Sequence, residues 1–358
     1  MTKKPSAPLD FFQSLERWSK DARPDCLFEG GGRASYLRWR RRFLRHYLRC
    51  LGPFPARVPL KARLVKRVKE KGYTREHWIY DSSPGISVPA ILLIPDGLRE
   101  PAPALLAAHG HGGGKTDVCG LPHPVWGKKH AAWTRTLDYD YARQAVLRGY
   151  VVLAPDFAPF GERRPPEIWL RDDRDACDIV DLCARYFGFN LLSLNLWDAM
   201  RGLDLLAAHP KVDPRRMGVI GLSYGGTLAA HLMVLDRRLK AGVVSGYVST
   251  LLGDAFGMRG KGNTCGAQAL PWLLRHGDIP EIFGLVAPKP LLLEIGKEED
   301  CFESGDMLKA SARVARIYRA AGVGKNLKKD VFAGGHRWNG VKAWPWLAAQ
   351  LGRGQPAA

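Results

Sequence analysis

Long apolar runs are missing from this 358-residue sequence. Stretches such as PLLLEI at 290–295 fall well short of the roughly 18 residues that cross a bilayer, so no membrane-spanning helix is expected. Cysteine pairing is missing too. The seven cysteines are odd in number and include no C-x-x-C, which indicates neither a disulfide framework nor a zinc knuckle. The opening MTKKPSAPLDFF is basic but leads into no apolar core of a signal peptide. Reduced thiols in a cytoplasmic protein are the expectation, unless an export signal has already been removed.

Acidic residues are scarce relative to basic ones: 35 Asp and Glu stand against 54 Lys and Arg, a formal net charge of +19. Such an excess suits a nucleic acid, an anionic surface or an acidic substrate. Its densest patch is SYLRWRRRFLRHYLRC at 35–50. Tyr36, Phe43, Tyr47 and Leu48 fall near helical spacing, with Arg38, Arg41, Arg42, Arg45 and Arg49 between them. An amphipathic helix with its arginines in solvent is the reading. No zinc-finger or RRM signature accompanies it, so neither nucleic acid nor membrane is an expected partner.

What the sequence has is alternation. Residues 1–72 read as a helical extension broken at DARPD, EGGGR and LGPFP, and 73–358 as one catalytic domain. YTREHWIYDSS and ISVPAILLIP read as two strands joined at Pro84-Gly85. Strand-like runs at 104–110, 150–157, 216–223, 240–247 and 290–296 then alternate with helical segments. That order predicts a mostly parallel sheet with helices on both faces. Long insertions at 158–190 and 248–285 follow strand ends, on the edge where open α/β sheets bind ligands. Within the second, Arg259, Lys261, Trp272 and Arg275 are candidates for pocket walls. Asp156, Glu162 and Arg163 follow another strand end and read as structural ion-pairing groups.

GLSYGG at 221–226 fits G-x-S-x-G between a strand and a helix. There the glycines allow a strained turn that presents Ser223, while the Tyr224 N–H faces a developing oxyanion. A general base is then needed beyond the last strand, and DVFAGGHRWNG supplies His336. The acid belongs just past PLLLEIG, where KEEDCFESGD offers Glu298, Glu299, Asp300, Glu303 and Asp306. Glu299 and Asp300 are the two well placed. Asp300 is taken because Asp is the commoner residue in this role, with Glu299 the alternative.

HGHGGGK at 109–115 poses a choice between a metal site and an anion-cradling loop. A metallo-hydrolase of the H-x-H-x-D-H type needs Asp and His at 113 and 114, where this sequence has glycine. His123 and His130 complete no recognisable ligand set, so no metal is expected. A glycine loop after an early strand is instead where a serine hydrolase with a G-x-S-x-G elbow places its second oxyanion donor, here the N–H of His111 or Gly112. His109 is expected to pack or hydrogen-bond locally.

Taken in order, HGHGGGK, PDFAPFGERR, GLSYGG, CGAQALPWLLRHGDIPEIFGLVAPKPLLLEIG and DVFAGGHRWNG resemble the acetylxylan-esterase/dienelactone-hydrolase-like group of α/β-hydrolases, over about residues 75–345. The resemblance implies an eight-stranded, mostly parallel sheet with an antiparallel N-terminal portion. It also implies a triad carried by Ser223 and His336, and cofactor-free hydrolysis of carboxylic esters. Dienelactone hydrolases proper usually carry a cysteine nucleophile, and the serine here departs from them. The group's acid commonly stands as G-x-x-D, which from Gly296 falls on Glu299. Spacing therefore favours Glu299, residue type Asp300.

The expected activity is a serine esterase acting through an acyl-enzyme on a small-molecule or saccharide ester. Three other readings compete with it. A prolyl-oligopeptidase-like peptidase lacks room for a propeller in residues 1–72. A non-catalytic binding protein conflicts with an intact nucleophile, base and oxyanion loop. A basic nucleic-acid or membrane adaptor would have to rest on residues 35–50 alone. Oligomeric state is left open, with the N-terminal helices as the candidate interface of a homo-oligomer.

Overall fold

Nine strands pair into one sheet in the order β1-β2-β3-β5-β4-β6-β7-β8-β9 in the computed structural model, which describes residues 10–125, 127–165, 173–257 and 265–352. They are β1 (Arg63–Glu70), β2 (Tyr73–Ser83), β3 (Ile86–Pro95), β4 (Ala102–Ala108), β5 (Val151–Pro155), β6 (Val212–Leu222), β7 (Leu239–Ser245), β8 (Leu291–Gly296) and β9 (Leu327–Phe332). The pairings from β1 through β3 to β5 are antiparallel, and those from β5 through β4 to β9 are parallel. The α/β-hydrolase architecture is therefore as read from the sequence, with nine strands among the described residues in place of eight.

Burial explains the order. APALLAA of β4 and VVLAP of β5 are apolar throughout and buried on both faces, as central parallel strands must be. RLVKRVKE of β1 is mostly exposed and cationic, which suits an edge strand that must not recruit another chain. One core layer packs the helices Arg33–Leu51, Leu191–Ala208 and Tyr224–Leu235 against the sheet. A second packs Tyr141–Val146 and Ala343–Leu351 against the opposite face.

The N-terminal segment differs from the expectation in two respects. It is not wholly helical, because β1 lies inside residues 1–72 and pairs with β2. Nor is its main helix a separate appendage, since the inward face of Arg33–Leu51 belongs to the same core as the sheet. That face is Tyr36, Trp39, Phe43, Tyr47, Cys50 and Leu51, at spacings of three and four. Leu48 sits one residue, about 100° of helical turn, off this stripe and is 43% exposed rather than buried. Tyr47 Oη and His231 Nδ1 are hydrogen-bonded at 2.8 Å, and Tyr36 Oη donates to the Ala287 carbonyl at 2.8 Å. Each fully buried aromatic here stabilises the attachment by about 1.5–3 kcal/mol.

The two insertions meet. The helix Asp173–Arg185 of the first accepts a hydrogen bond at Asp178 Oδ1 from the Gly266 N–H of the second, at 2.6 Å. Arg259 and Lys261 lie outside the described residues, while Trp272 and Arg275 are exposed to solvent.

Candidate active site

Between β6 and the helix Tyr224–Leu235 the chain reverses through a single residue, Ser223, at φ 62° and ψ −124°. A non-glycine residue in this region costs about 1–3 kcal/mol and persists only when its surroundings hold it. Two backbone bonds do so: Ser223 N–H donates to the Ser245 carbonyl, and Thr227 N–H donates to the Ser223 carbonyl, each at 3.0 Å. The flanking glycines are required by space. A Cβ on Gly225 would lie 1.9 Å from the Ala108 carbonyl oxygen, and one on Gly221 would lie 2.1 Å from the Gly225 oxygen. The helix that follows directs its first N–H groups, Tyr224 among them, toward the serine side of the turn, with no intrahelical acceptor available to them.

The loop after β4 crosses this elbow. A Cβ on Gly110 would stand 3.3 Å from Ser223 Cβ, so the backbone at Gly110 runs directly against the serine. His109 locks the start of the loop. Its Nε2 accepts from Phe157 N–H at 2.9 Å, which leaves Nδ1–H to donate to the Gly110 carbonyl at 2.8 Å. Burial lowers the ring's pKa, consistent with a neutral imidazole. Beyond it, Gly113 N–H donates to Asp117 Oδ2 at 2.7 Å, and His130 Nε2 meets the other oxygen of that carboxylate at 2.9 Å. Lys115 is buried, with its backbone N–H and its ammonium both on Asp156 and the ammonium also on Glu162. Burial opposes its charge, but the two carboxylates outweigh that and raise its pKa. Arg163 donates to Asp198 at 2.6 Å. Asp156, Glu162 and Arg163 are thus structural ion-pairing groups that hold the loop.

The side chains of Tyr224 and His111 pack on each other. Asn195 Nδ2 donates to Tyr224 Oη at 2.7 Å, and the Tyr224 ring packs 5.6 Å from that of His111 and 5.8 Å from that of Phe160.

His336 follows β9, and its ring lies against Gly246, where an added Cβ would stand 2.9 Å from Cε1. Ser223 N–H is bonded to the Ser245 carbonyl and His336 packs on the next residue, so both residues lie at the C-terminal end of β7. His336 Nδ1 donates to Glu299 Oε1 at 2.7 Å, and the Glu299 side chain is only 1% exposed. Asp300 is exposed to solvent. The carboxylate against His336 is therefore Glu299, which corrects the expectation of Asp300. The cause is backbone direction. Lys297 N–H donates to the Phe332 carbonyl and Glu298 N–H to that of Gly334, so pairing with the β9 side continues past β8. The turn at 297–298 then aims the Glu299 side chain at His336 and leaves Asp300 in solvent. Burial alone would lower the His336 pKa, but hydrogen bonds with Cys301 and Glu299, and the charges behind them, raise it to about 10.

A further group escaped the sequence reading. Glu294 of β8 is buried and accepts the N–H groups of Gly340 and Asn339 at 2.8 and 3.2 Å, fixing the segment after His336. Burial pushes its carboxyl up to about 7. A glutamate inside the otherwise apolar PLLLEIG was the available signal.

A family model described as an Abhydrolase family matches residues 13–329. The protein assigned as hydrolase YtaP of Bacillus subtilis (strain 168) is 25% identical over 299 residues, covering 80% of this chain and 91% of its own. Among solved structures, a Bacteroides fragilis protein assigned as an acetyl xylan esterase superposes with a TM-score of 0.80 at 18% identity, covering 98% of this chain and 96% of its own. A glucuronoyl esterase from Solibacter usitatus superposes with a TM-score of 0.64 at 16% identity, covering 88% and 93%.

Proposed function

The chain belongs to the Abhydrolase family, and on that premise we propose that it is a serine esterase that cleaves short acyl esters of small molecules or saccharides through an acyl-enzyme. The observation that carries the reading is the 2.7 Å pair between His336 Nδ1 and Glu299, beside the strained elbow of Ser223.

With Nδ1–H held by Glu299, the neutral ring keeps its Nε2 lone pair for the serine proton. Ser223 Oγ attacks the ester carbonyl as His336 takes that proton, and Glu299 stabilises the imidazolium that forms. The tetrahedral oxyanion accepts from Tyr224 N–H and from His111 or Gly112 N–H, each key donor supplying about 3–4 kcal/mol. His336 then protonates the departing alcohol. Water, deprotonated by the same ring, releases the acid and restores Ser223. No step requires a cofactor.

The saccharide part of the reading draws on the likeness to acetyl xylan and glucuronoyl esterase structures. The test is hydrolysis of a chromogenic acetate, acetylated xylo-oligosaccharides and a methyl uronate by the wild type and Ser223→Ala. Acetate release lost on the order of 10⁶-fold in the variant supports the reading. A variant that keeps its rate overturns it.

A further inference from the structure

Three side chains from three distant segments converge behind the oxyanion loop: His111 after β4, Cys177 on the helix Asp173–Arg185, and Cys265 in the second insertion. His111 Nε2 lies 3.1 Å from Cys265 Sγ, and one ligand atom from each residue falls within 4.8 Å of the others. Both cysteines are buried.

We propose that His111, Cys177 and Cys265 form a binding site for one thiophilic cation of the Zn²⁺ class, built against the back of the oxyanion loop.

The distances suit such an ion. Tetrahedral Zn–S bonds of about 2.3 Å and Zn–N bonds of about 2.0–2.1 Å require ligand atoms roughly 3.5–3.8 Å apart. Small side-chain rotations reach that from the observed positions. Two sulfurs and an imidazole select soft and borderline ions over Mg²⁺ or Ca²⁺, which prefer oxygen ligands. Three protein ligands leave a fourth position, and Gln268 Oε1 stands 3.8 Å from Cys265 Sγ. Coordination displaces any proton still on either thiol to solvent.

The cluster is also braced. Gly266 N–H is held by Asp178 at 2.6 Å, Gln268 N–H donates to the Cys265 carbonyl at 3.0 Å, and Gln268 Nε2 donates to Thr227 Oγ1 at 2.9 Å. Thr227 in turn bonds the Ser223 carbonyl. An ion here ties both insertions to the nucleophile elbow and to His111, whose N–H is a proposed oxyanion donor. Only this kinetic consequence rests on the esterase reading; the binding itself does not.

The experiment titrates the reduced, metal-stripped full chain with Co²⁺ as a coloured stand-in for Zn²⁺. The expected result is a thiolate-to-cobalt charge-transfer band that saturates at one equivalent and is displaced by Zn²⁺. Cys177→Ser and Cys265→Ser should each weaken binding more than about tenfold, since even an outer partner of a ligand is worth that much. Cys301→Ser and Cys183→Ser should keep the band, which separates this site from the Glu299–Cys301–His336 group. Ser223→Ala should bind as the wild type does, whatever its activity. Should the cysteine variants not fold, mass-spectrometric mapping of thiol alkylation in the wild type decides, with Zn²⁺ expected to shield Cys177 and Cys265. Absence of the band, its survival in the Cys177→Ser/Cys265→Ser double variant, or equal alkylation with and without Zn²⁺ overturns the proposal.

Discussion

Glu299 Oε1 receives both the His336 Nδ1–H, at 2.7 Å, and the Cys301 N–H, at 3.1 Å. One carboxylate oxygen therefore fixes the tautomer of the proposed base and is itself pinned by the loop that carries it. Replacement by Gln permits the opposite tautomer, with Nε2 protonated and unable to accept from serine. Glu299→Gln should lower kcat by about 10³–10⁴-fold with little change in KM. Asp300→Asn should stay within about twofold of wild type. Steady-state kinetics of the two variants check this.

The pH profile follows from the same pair. His336 acts as a base only when neutral, and its pKa is raised from 6.5 to about 10. Activity should therefore climb with pH through an acid limb displaced above the ordinary histidine value, and Glu299→Gln should move that limb downward. A limb that stays in place in Glu299→Gln contradicts the assignment. The stability sign is opposite: the interactions that raise the pKa stabilise the folded state fully below pH 6.5, and that contribution is lost as pH rises through about 10.

Glu294 adds a second pH effect. Its folded pKa of about 7 exceeds the ordinary 4.5, so the folded chain binds the extra proton. Its contribution is complete below pH 4.5 and is lost as pH rises through 7, a change of up to about 3 kcal/mol. Glu294→Gln should flatten the fall in stability between those limits, as measured by denaturant melts at pH 5 and pH 8. An unchanged slope contradicts a buried titrating carboxyl.

Lys115→Met should destabilise the fold by about 3–5 kcal/mol, because it strands Asp156 as a buried charge. The double variant Lys115→Met/Asp156→Leu should recover much of that loss. Thermal melts of both test it, and equal melting of the wild type and the single variant would contradict it.

The sheet was largely legible in the sequence because its central strands are apolar on both faces and its hairpin turns on Pro84-Gly85. β1 was not, since an edge strand exposed on both faces carries no alternation. The helix Arg33–Leu51 was readable as amphipathic, yet without Trp39 and Cys50 the stripe drifted onto Leu48. Ser223 and His336 stood out through local motifs in chain order, whereas Glu299 and Asp300 differ only in how the turn after β8 aims them. The cluster of His111, Cys177 and Cys265 has no linear signature at all. It exists only once two insertions close over the elbow.

The most direct test of the central claim is reaction with a fluorophosphonate, which traps an activated serine covalently, followed by peptide mass mapping. One adduct is expected, on Ser223, formed much more slowly in Glu299→Gln and absent in Ser223→Ala. An unlabelled wild type, or an adduct on any other residue, would contradict the assignment of Ser223 as the nucleophile.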